Sequence, residues 1–330
     1  MKIKIITPSR LHFSLIDLSG DLGRVDGGIG VALGYPNVIL EASSLKNNDI
    51  IVKNGYNSEL IYNITKNVFK HLEIDGGMEF NLISSIPSHV GLGSKTQLSL
   101  AVAFAINHLY GKNNTVFELA RIVKRGGTSG IGVNVFQKGG FILDAGHTFG
   151  KNKQKNSFLP SRASDAPPPP ALLHYVVPEN WQFVIALPNI YDEIEGLGEI
   201  NVFKNTCPIT EVEVGAVSRL ILMVLLPGLY EQNIEVFGKG LSELQKVGFK
   251  KHEVNIQPTI IKDLIQFMVE NGAYGSGISS FGCTTYGLVE GIENAKKLEK
   301  KTNKFLQNNG GGRVFTTNVN NEGMEFEILS

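Results

Sequence analysis

The feature that most constrains this chain is Pro87-Ser88-His89-Val90-Gly91-Leu92-Gly93-Ser94-Lys95-Thr96, set between two segments of opposite character. Before it, Met78 to Ile83 alternates apolar and polar residues and predicts a strand. After it, Gln97 to Tyr110 is rich in Ala and Leu, lacks Gly and Pro, and predicts a buried helix. A glycine loop between strand and helix offers backbone N–H groups to an anion. The glycines let the main chain approach phosphate oxygens, and the positive end of the helix dipole favours negative charge there. Ser94 is placed to cap the helix and to reach a phosphate or a metal, and Lys95 adds a mobile point charge. The plain alternative is a tight turn before a capped helix; the lysine, the serine and the preceding strand favour a phosphate site. The spacing is neither that of a P-loop nor that of a dinucleotide fingerprint.

At 330 residues the chain can bury a large core and predicts two domains. The stiff run Pro167 to Pro170 marks their boundary, giving domains 1–166 and 167–330. Basic and acidic residues number 31 each, so no net charge points to nucleic acid. The 37 glycines cluster and suggest backbone-lined clefts. Two cysteines, Cys207 and Cys283, give no disulfide framework and indicate a reducing interior. The N-terminal residues do not read as a signal peptide. The longest apolar runs, near 98–106 and 219–226, fall short of the ~20 residues that span a bilayer. The expectation is a soluble cytoplasmic protein with no membrane or nucleic-acid partner; a homodimer is compatible with the sequence.

Taken in order, residues 2–6, 9–15, 31–42 and 49–53 read as strands, with a glycine-rich loop over 17–30. Residues 58–73 and 116–124 read as helices, and 134–147 as a hairpin turning at Gly139-Gly140. In the second half a strand at 182–187 precedes helices at 211–226 (stopped by Pro227-Gly228), 234–244 and 258–271. A second glycine-rich stretch, 272–287, runs into a strand; a charged helix over 293–308 and a terminal hairpin of 313–317 with 324–329 complete the chain.

Residues 87–94, Pro-x-x-x-Gly-Leu-Gly-Ser, resemble the second motif of the GHMP superfamily of galactokinase, homoserine, mevalonate and phosphomevalonate kinases. The fuller string Ile86 to Gln97, with Thr7-Pro-Ser-Arg-Leu-His-Phe13 and Gly23-Arg-Val-Asp-Gly-Gly-Ile-Gly30, is similar to a branch that is not a kinase. That branch is the β-ribofuranosylaminobenzene 5′-phosphate synthases of archaeal methanopterin biosynthesis. Two departures from the kinases agree. Their Ser-Gly-hydrophobic-Asp places a general base, whereas here Thr128-Ser129-Gly130-Ile131 is followed by Gly132; and Lys95-Thr96 stands where Ser-Ala is usual. Residues 272–287 stand where the third superfamily motif is expected.

The resemblance implies an α+β fold in two domains, the N-terminal one like ribosomal protein S5 domain 2 and the C-terminal one ferredoxin-like, with the site in the cleft between. It implies transfer of the phosphoribosyl group of 5-phosphoribosyl 1-diphosphate to 4-aminobenzoate or 4-hydroxybenzoate, with loss of CO2 and diphosphate. Gly91, Leu92, Gly93, Ser94, Lys95 and Thr96 would hold the diphosphate, and Lys95, Arg24 and Asp26 are the expected catalytic side chains. Arg10, His12, Arg125, Ser129, Arg162, Ser279 and Ser280 are expected on the substrates; which arginine takes the 5′-phosphate and which the carboxylate stays open. Mg²⁺ is the expected cofactor, on Ser94 and an acid, Asp144 or Asp26. A ring carbon activated by a para amino or hydroxyl group attacks without a base, so the missing carboxylate is tolerable. An ATP-dependent small-molecule kinase and a silent nucleotide-binding protein on the same scaffold remain the alternatives.

Overall fold

Two long antiparallel strands form the spine: β1 (Lys2–Asp17) lies against β2 (Arg24–Leu45). In place of two strands broken at Pro8, β1 runs through that residue. A register shift between Thr7 and Ser9 accommodates the proline's missing N–H. In place of a loop to Gly30, β2 begins at Arg24. A side chain at Gly30 would run into the Leu11 carbonyl, so this glycine serves strand approach and not flexibility.

The computed structural model describes residues 1–161, 163–190 and 197–329. After β3 (Ile50–Lys53) comes α1 (Ser58–Leu72), which turns Ile61, Ile64 and Val68 inward as its period predicts. β4 (Gly77–Ser84) pairs antiparallel with β2 and parallel with β3. α2 (Ser94–Leu109) is buried along most of its length, the polar Thr96, Gln97, Ser99 and Asn107 included. α3 (Val116–Ile122) is held by a capping box of Thr115 and Glu118.

The expected hairpin over 134–147 is corrected: its first arm is α4 (Ile131–Lys138), closed by Gly139 at φ +65°. Val133 to Phe136 alternate no polar face to solvent and are buried throughout, the case in which a short apolar run cannot be told from a strand by period alone. β5 (Phe141–Asp144) and β6 (His147–Thr148) pair with β2, and β7 (Ala171–Tyr175), beyond the prolines, pairs with β5.

A second sheet is antiparallel in the order β11-β8-β10-β9, from β8 (Trp181–Pro188), β9 (Gly275–Ile278), β10 (Thr285–Glu290) and β11 (Gly312–Asn318). Between β8 and β9 run α5 (Leu197–Thr206), α6 (Glu211–Tyr230), α7 (Ile234–Leu244), α8 (Gly248–Asn255) and α9 (Thr259–Glu270). α10 (Ile292–Gln307) precedes β11. The terminal hairpin is also corrected: β11 pairs with β8, whereas β12 (Glu325–Ile328) crosses back to pair with β1. The connecting residues are themselves bonded to the first half of the chain, Asn320 N–H to Ala32 O on β2 and Met324 N–H to Phe136 O on α4.

α6 passes the proline expected to stop it. A π turn at Ile221–Leu225 widens the helix just before Pro227. There the ring would otherwise meet the preceding turn. Among the described residues α6 is the one helix long and apolar enough to cross a membrane by length and composition. Val217, Ile221, Leu225 and Leu229 are its buried face, while Leu222, Met223 and Tyr230 are exposed.

The two sheets share one core. The Phe13 ring on β1 lies 6.5 Å from Phe141, 6.4 Å from Phe183, 6.4 Å from Phe237 and 5.4 Å from Tyr286. Phe13→Ala is therefore expected to cost about 3–5 kcal/mol. In urea unfolding the signals from both halves should move together; if only one half is destabilised, the shared core is not the link.

Candidate active site

The glycine loop is fixed by its neighbours. Gly93, at φ +85°, is the residue preceding α2, and no side chain caps it; Ser94 is the first helical residue and not the cap expected of it. Thr96 N–H turns back to Gly93 O (3.1 Å), which leaves Ser94 and Lys95 as the first-turn N–H groups without a partner within the helix. Gly91, at φ +88°, lies so close to Ser279 O that a Cβ would collide with it. The Ser279 hydroxyl donates to Gly91 O (2.6 Å), and Thr284 donates to Val90 O through its hydroxyl (2.5 Å) and its N–H (3.2 Å). β1 joins from the other side: Arg10 N–H donates to Leu92 O (3.1 Å) and its guanidinium to Gly91 O, while Ser280 N–H donates to His12 O (3.1 Å). The three glycine-bearing or basic motifs read from the sequence are one bonded unit here.

Two cavities meet at this unit. One of about 370 Å³ is lined by Gly91, Gly93, Ser94 and Ser88. The other, of about 300 Å³, is lined by His12, Leu15, Ser129, Phe203 and Glu253. Arg10, His89, Lys95, Thr96, Arg125, Glu199, Ser280 and Phe281 line both and form the seam, three Arg and Lys side chains to one carboxylate. Arg125 Nε donates to Thr96 Oγ1 at 3.1 Å. Burial, reinforced by the Arg125 charge, pushes the Arg10 guanidinium down to about 10. Burial also lowers Arg125, against the pull of Glu199. Crowded, desolvated cations at a seam favour an anion that can lie across both cavities.

His12 sits at the floor of the second cavity. Its Nε2 is 3.1 Å from Ser129 Oγ, and its Nδ1 is buried with no hydrogen-bond partner among the described residues. Burial, then the charges of Arg10 and Lys250, hold the imidazole well below its ordinary value, so it is neutral at pH 7. Ser129 Oγ accepts from Ile131 N–H (3.2 Å) and reaches Asp144 Oδ2 (3.4 Å). Gly132, where the kinases would carry a carboxylate, lines the second cavity, and a Cβ there would face Thr96 Cγ2 at 3.1 Å.

The structure does not bring every expected residue to the cleft. Asp144 lines neither cavity; its two oxygens accept from Gly130 N–H (2.8 Å) and Gly146 N–H (2.9 Å), and burial pushes its carboxyl up to about 7. Ser94, its expected partner on a metal, is at the first cavity. Asp26 is buried in an ion-paired cluster, 2.9 Å from Lys155 Nζ and 2.6 Å from His147 Nδ1, and lines neither cavity. Arg24 is exposed and donates to Ala145 O at 2.8 Å. Ser279 acts through the loop it holds, and Arg162 lies outside the described residues.

Sequence reasoning missed the aromatic wall and the helix behind Arg10. Phe203 and Phe281 have ring centroids 6.1 Å apart, with Phe249 behind them. Lys250 and Glu253 form an ion pair on α8 with both side chains buried. Lys-Lys-His-Glu reads as a solvated face, and nothing in its spacing announces burial. Phe203, Phe249 and Phe281 are too widely spaced in sequence to suggest a common wall.

The profile of the GHMP kinases N terminal domain matches residues 59–139. The chain is 40% identical to the β-ribofuranosylphenol 5′-phosphate synthase of Methanothermobacter thermautotrophicus, covering 98% of each sequence. It is 38% identical to the protein of that name from Methanocaldococcus jannaschii, covering 97% of this chain and 98% of the other. Among solved structures, homoserine kinase from Cytophaga hutchinsonii superposes with a TM-score of 0.68 at 19% identity, over 99% of this chain and 97% of that one.

The buried Asp26 cluster and the exposed Lys95 give opposite expectations. Asp26→Ala strands Lys155 and His147 and should lower stability by about 3–5 kcal/mol in urea unfolding. Lys95→Ala should change stability by less than about 0.5 kcal/mol, while weakening inorganic diphosphate binding severalfold by calorimetry. Unchanged diphosphate binding in Lys95→Ala would remove the loop from the anion site.

Proposed function

The chain belongs to the β-ribofuranosylphenol 5′-phosphate synthase family and has the GHMP fold, and from that premise we propose that it joins the phosphoribosyl group of 5-phosphoribosyl 1-diphosphate to a small aromatic acid with loss of CO2 and diphosphate. The relatives' name favours 4-hydroxybenzoate as the acid; 4-aminobenzoate is the close analogue. The observation that carries this reading is the seam of Arg10, Lys95 and Arg125 between a glycine-loop cavity and an aromatic-walled one. A polyanionic sugar donor suits the first, a flat aromatic acid the second, and the cations lie where their charged ends meet.

In this reading the diphosphate rests on the N–H groups at the start of α2 and on Lys95, which stabilise the negative charge that builds as the C1′–O bond breaks. The sugar carbon becomes oxocarbenium-like, and the carboxylate-bearing ring carbon attacks it. Arg10 and Arg125 orient the carboxylate against the donor before CO2 departs. Mg²⁺ would add neutralising charge to the diphosphate. Ser94 fits as its contact on the first cavity; Asp144, with both oxygens taken by backbone N–H groups, does not fit as the second ligand. Among the described residues no three His, Cys, Asp or Glu side chains cluster to hold a metal by themselves. A cytoplasmic homodimer serving methanopterin biosynthesis belongs to the same proposal.

The direct test mixes protein, Mg²⁺, 5-phosphoribosyl 1-diphosphate and carboxyl-labelled acid and counts released CO2. Release should require the diphosphate donor and fall roughly a hundredfold in Lys95→Ala. No release from either acid, with ATP turnover on a small alcohol instead, would return the protein to phosphoryl transfer.

A further inference from the structure

The two departures from the kinase pattern, Thr96 and Gly132, stand against each other in the fold. Gly132 sits in the first turn of α4 and its φ is not left-handed, so the backbone there gives no reason for glycine. The space beside it does. A Cβ at this position would stand 3.1 Å from Thr96 Cγ2, 3.5 Å from Thr96 Cβ and 3.7 Å from Thr96 Oγ1. The gap is held from both sides. Gln97 Nε2 donates to Gly132 O (2.8 Å) and ties α2 to α4. Thr96 cannot turn away without losing the bond its hydroxyl accepts from Arg125 Nε at 3.1 Å.

That hydroxyl acts on Arg125. The side chain lines both cavities, and the bond to Thr96 is its one hydrogen bond among the described residues. Arg10 is committed differently: its Nη1 donates to Gly91 O and Ser279 Oγ and belongs to the scaffold of the glycine loop. A guanidinium carries five N–H groups in one plane. With Nε turned to Thr96, the fork left to Arg125 is the end-on pair Nη1 and Nη2, which matches the two oxygens of a carboxylate. An in-plane bond at Nε also sets the direction in which that fork points.

We propose that Thr96 is a positioning residue for the acceptor: its hydroxyl aims the Nη pair of Arg125 at the carboxylate of the aromatic acid, and Gly132 leaves it the room to do so. The proposal rests on the reaction given above. Thr96 acts through Arg125 and takes no part in the bonds that form and break. The two departures from the kinases are then a single exchange. An aspartate at 132 runs into the Thr96 side chain, and a threonine at 96 obstructs a carboxylate at 132. The kinase base and the support for Arg125 exclude each other at this spot, so a chain that gains one gives up the other.

Thr96→Val keeps the shape of the side chain and removes the hydroxyl. Measured by CO2 release, it should raise KM for the aromatic acid roughly tenfold, while KM for 5-phosphoribosyl 1-diphosphate stays within about twofold. Thr96→Ser keeps the hydroxyl and should recover most of the loss. Arg125→Lys has no Nε to hold, so adding Thr96→Val to it should change the acid's KM by less than about twofold. Gly132→Asp should weaken the acid as Thr96→Val does and lower the urea midpoint; adding Thr96→Ala should restore the midpoint but not the acid. A working enzyme in which Thr96→Val leaves the acid's KM unchanged, raises both KM values alike, or adds its full effect to Arg125→Lys overturns the proposal. So does a Gly132→Asp midpoint that Thr96→Ala leaves low. If the unaltered protein releases CO2 from neither acid, the reaction itself fails and takes the proposal with it, a result seen before any variant is made.

Discussion

Everything at the cleft depends on the contact between Ser279 and Gly91. One hydroxyl donates to Gly91 O and accepts from His12 N–H, so a loop before α2, a loop before β10 and the middle of β1 share a single oxygen. The contact is close because neither Gly91 nor Gly282 carries a side chain; a Cβ on either would strike the backbone of the other loop. Main-chain polar groups that would otherwise be buried without partners are satisfied across the two halves of the fold. The loop is therefore held in the shape that leaves the Ser94 and Lys95 N–H groups without a partner within the helix before any ligand arrives, which is the condition for strong electrostatic stabilisation.

The same packing explains the site's electrostatics. Burial and the Arg125 charge lower Arg10's affinity for its proton, burial and the Arg10 charge lower that of Lys250, and Glu253 offsets part of each. A protein keeps such mutually repelling cations buried at a cost that a bound polyanion offsets. His12 inherits the consequence: with Arg10 and Lys250 nearby, its neutral form prevails. Asp26, by contrast, is matched by Lys155 and His147 and holds together the start of β2, the 147–155 segment and, through Lys155, the Thr128 loop. Its role is to keep the second glycine loop in place behind the cleft.

Legibility in the sequence followed how local the determining interaction is. The strand, glycine loop and α2 announce themselves because composition and period agree over twenty residues, and the anion-binding geometry follows from that order. The candidate residues Arg10, His12, Arg125 and Ser129 do meet at the cleft, each carried there by a motif recognisable on its own. Arg24, Asp26 and Asp144 carry the same kind of charge in the same kind of glycine-rich setting, yet their partners are backbone groups and side chains that only the folded chain supplies. α4 was illegible as a helix because it is short and the run Val133 to Phe136 is buried throughout, leaving too few residues for a period to show. The Lys250–Glu253 pair was illegible because its burial is imposed by β1 and the loops, not by its own neighbours in sequence.

The pairing of β12 with β1 has a consequence in time. Ile3 lies opposite Ile328, so the edge of the strand that carries Arg10 and His12 is closed by residues made more than three hundred positions later. A chain emerging from the ribosome can form the glycine loop and α2 early, but β1 keeps an open edge until synthesis reaches β12. Contacts of such sequence separation slow folding and leave strand edges exposed meanwhile. A nascent chain halted before β12 would already hold Arg10 and His12 against β2, but with the start of β1, residues 3–6, still an open edge.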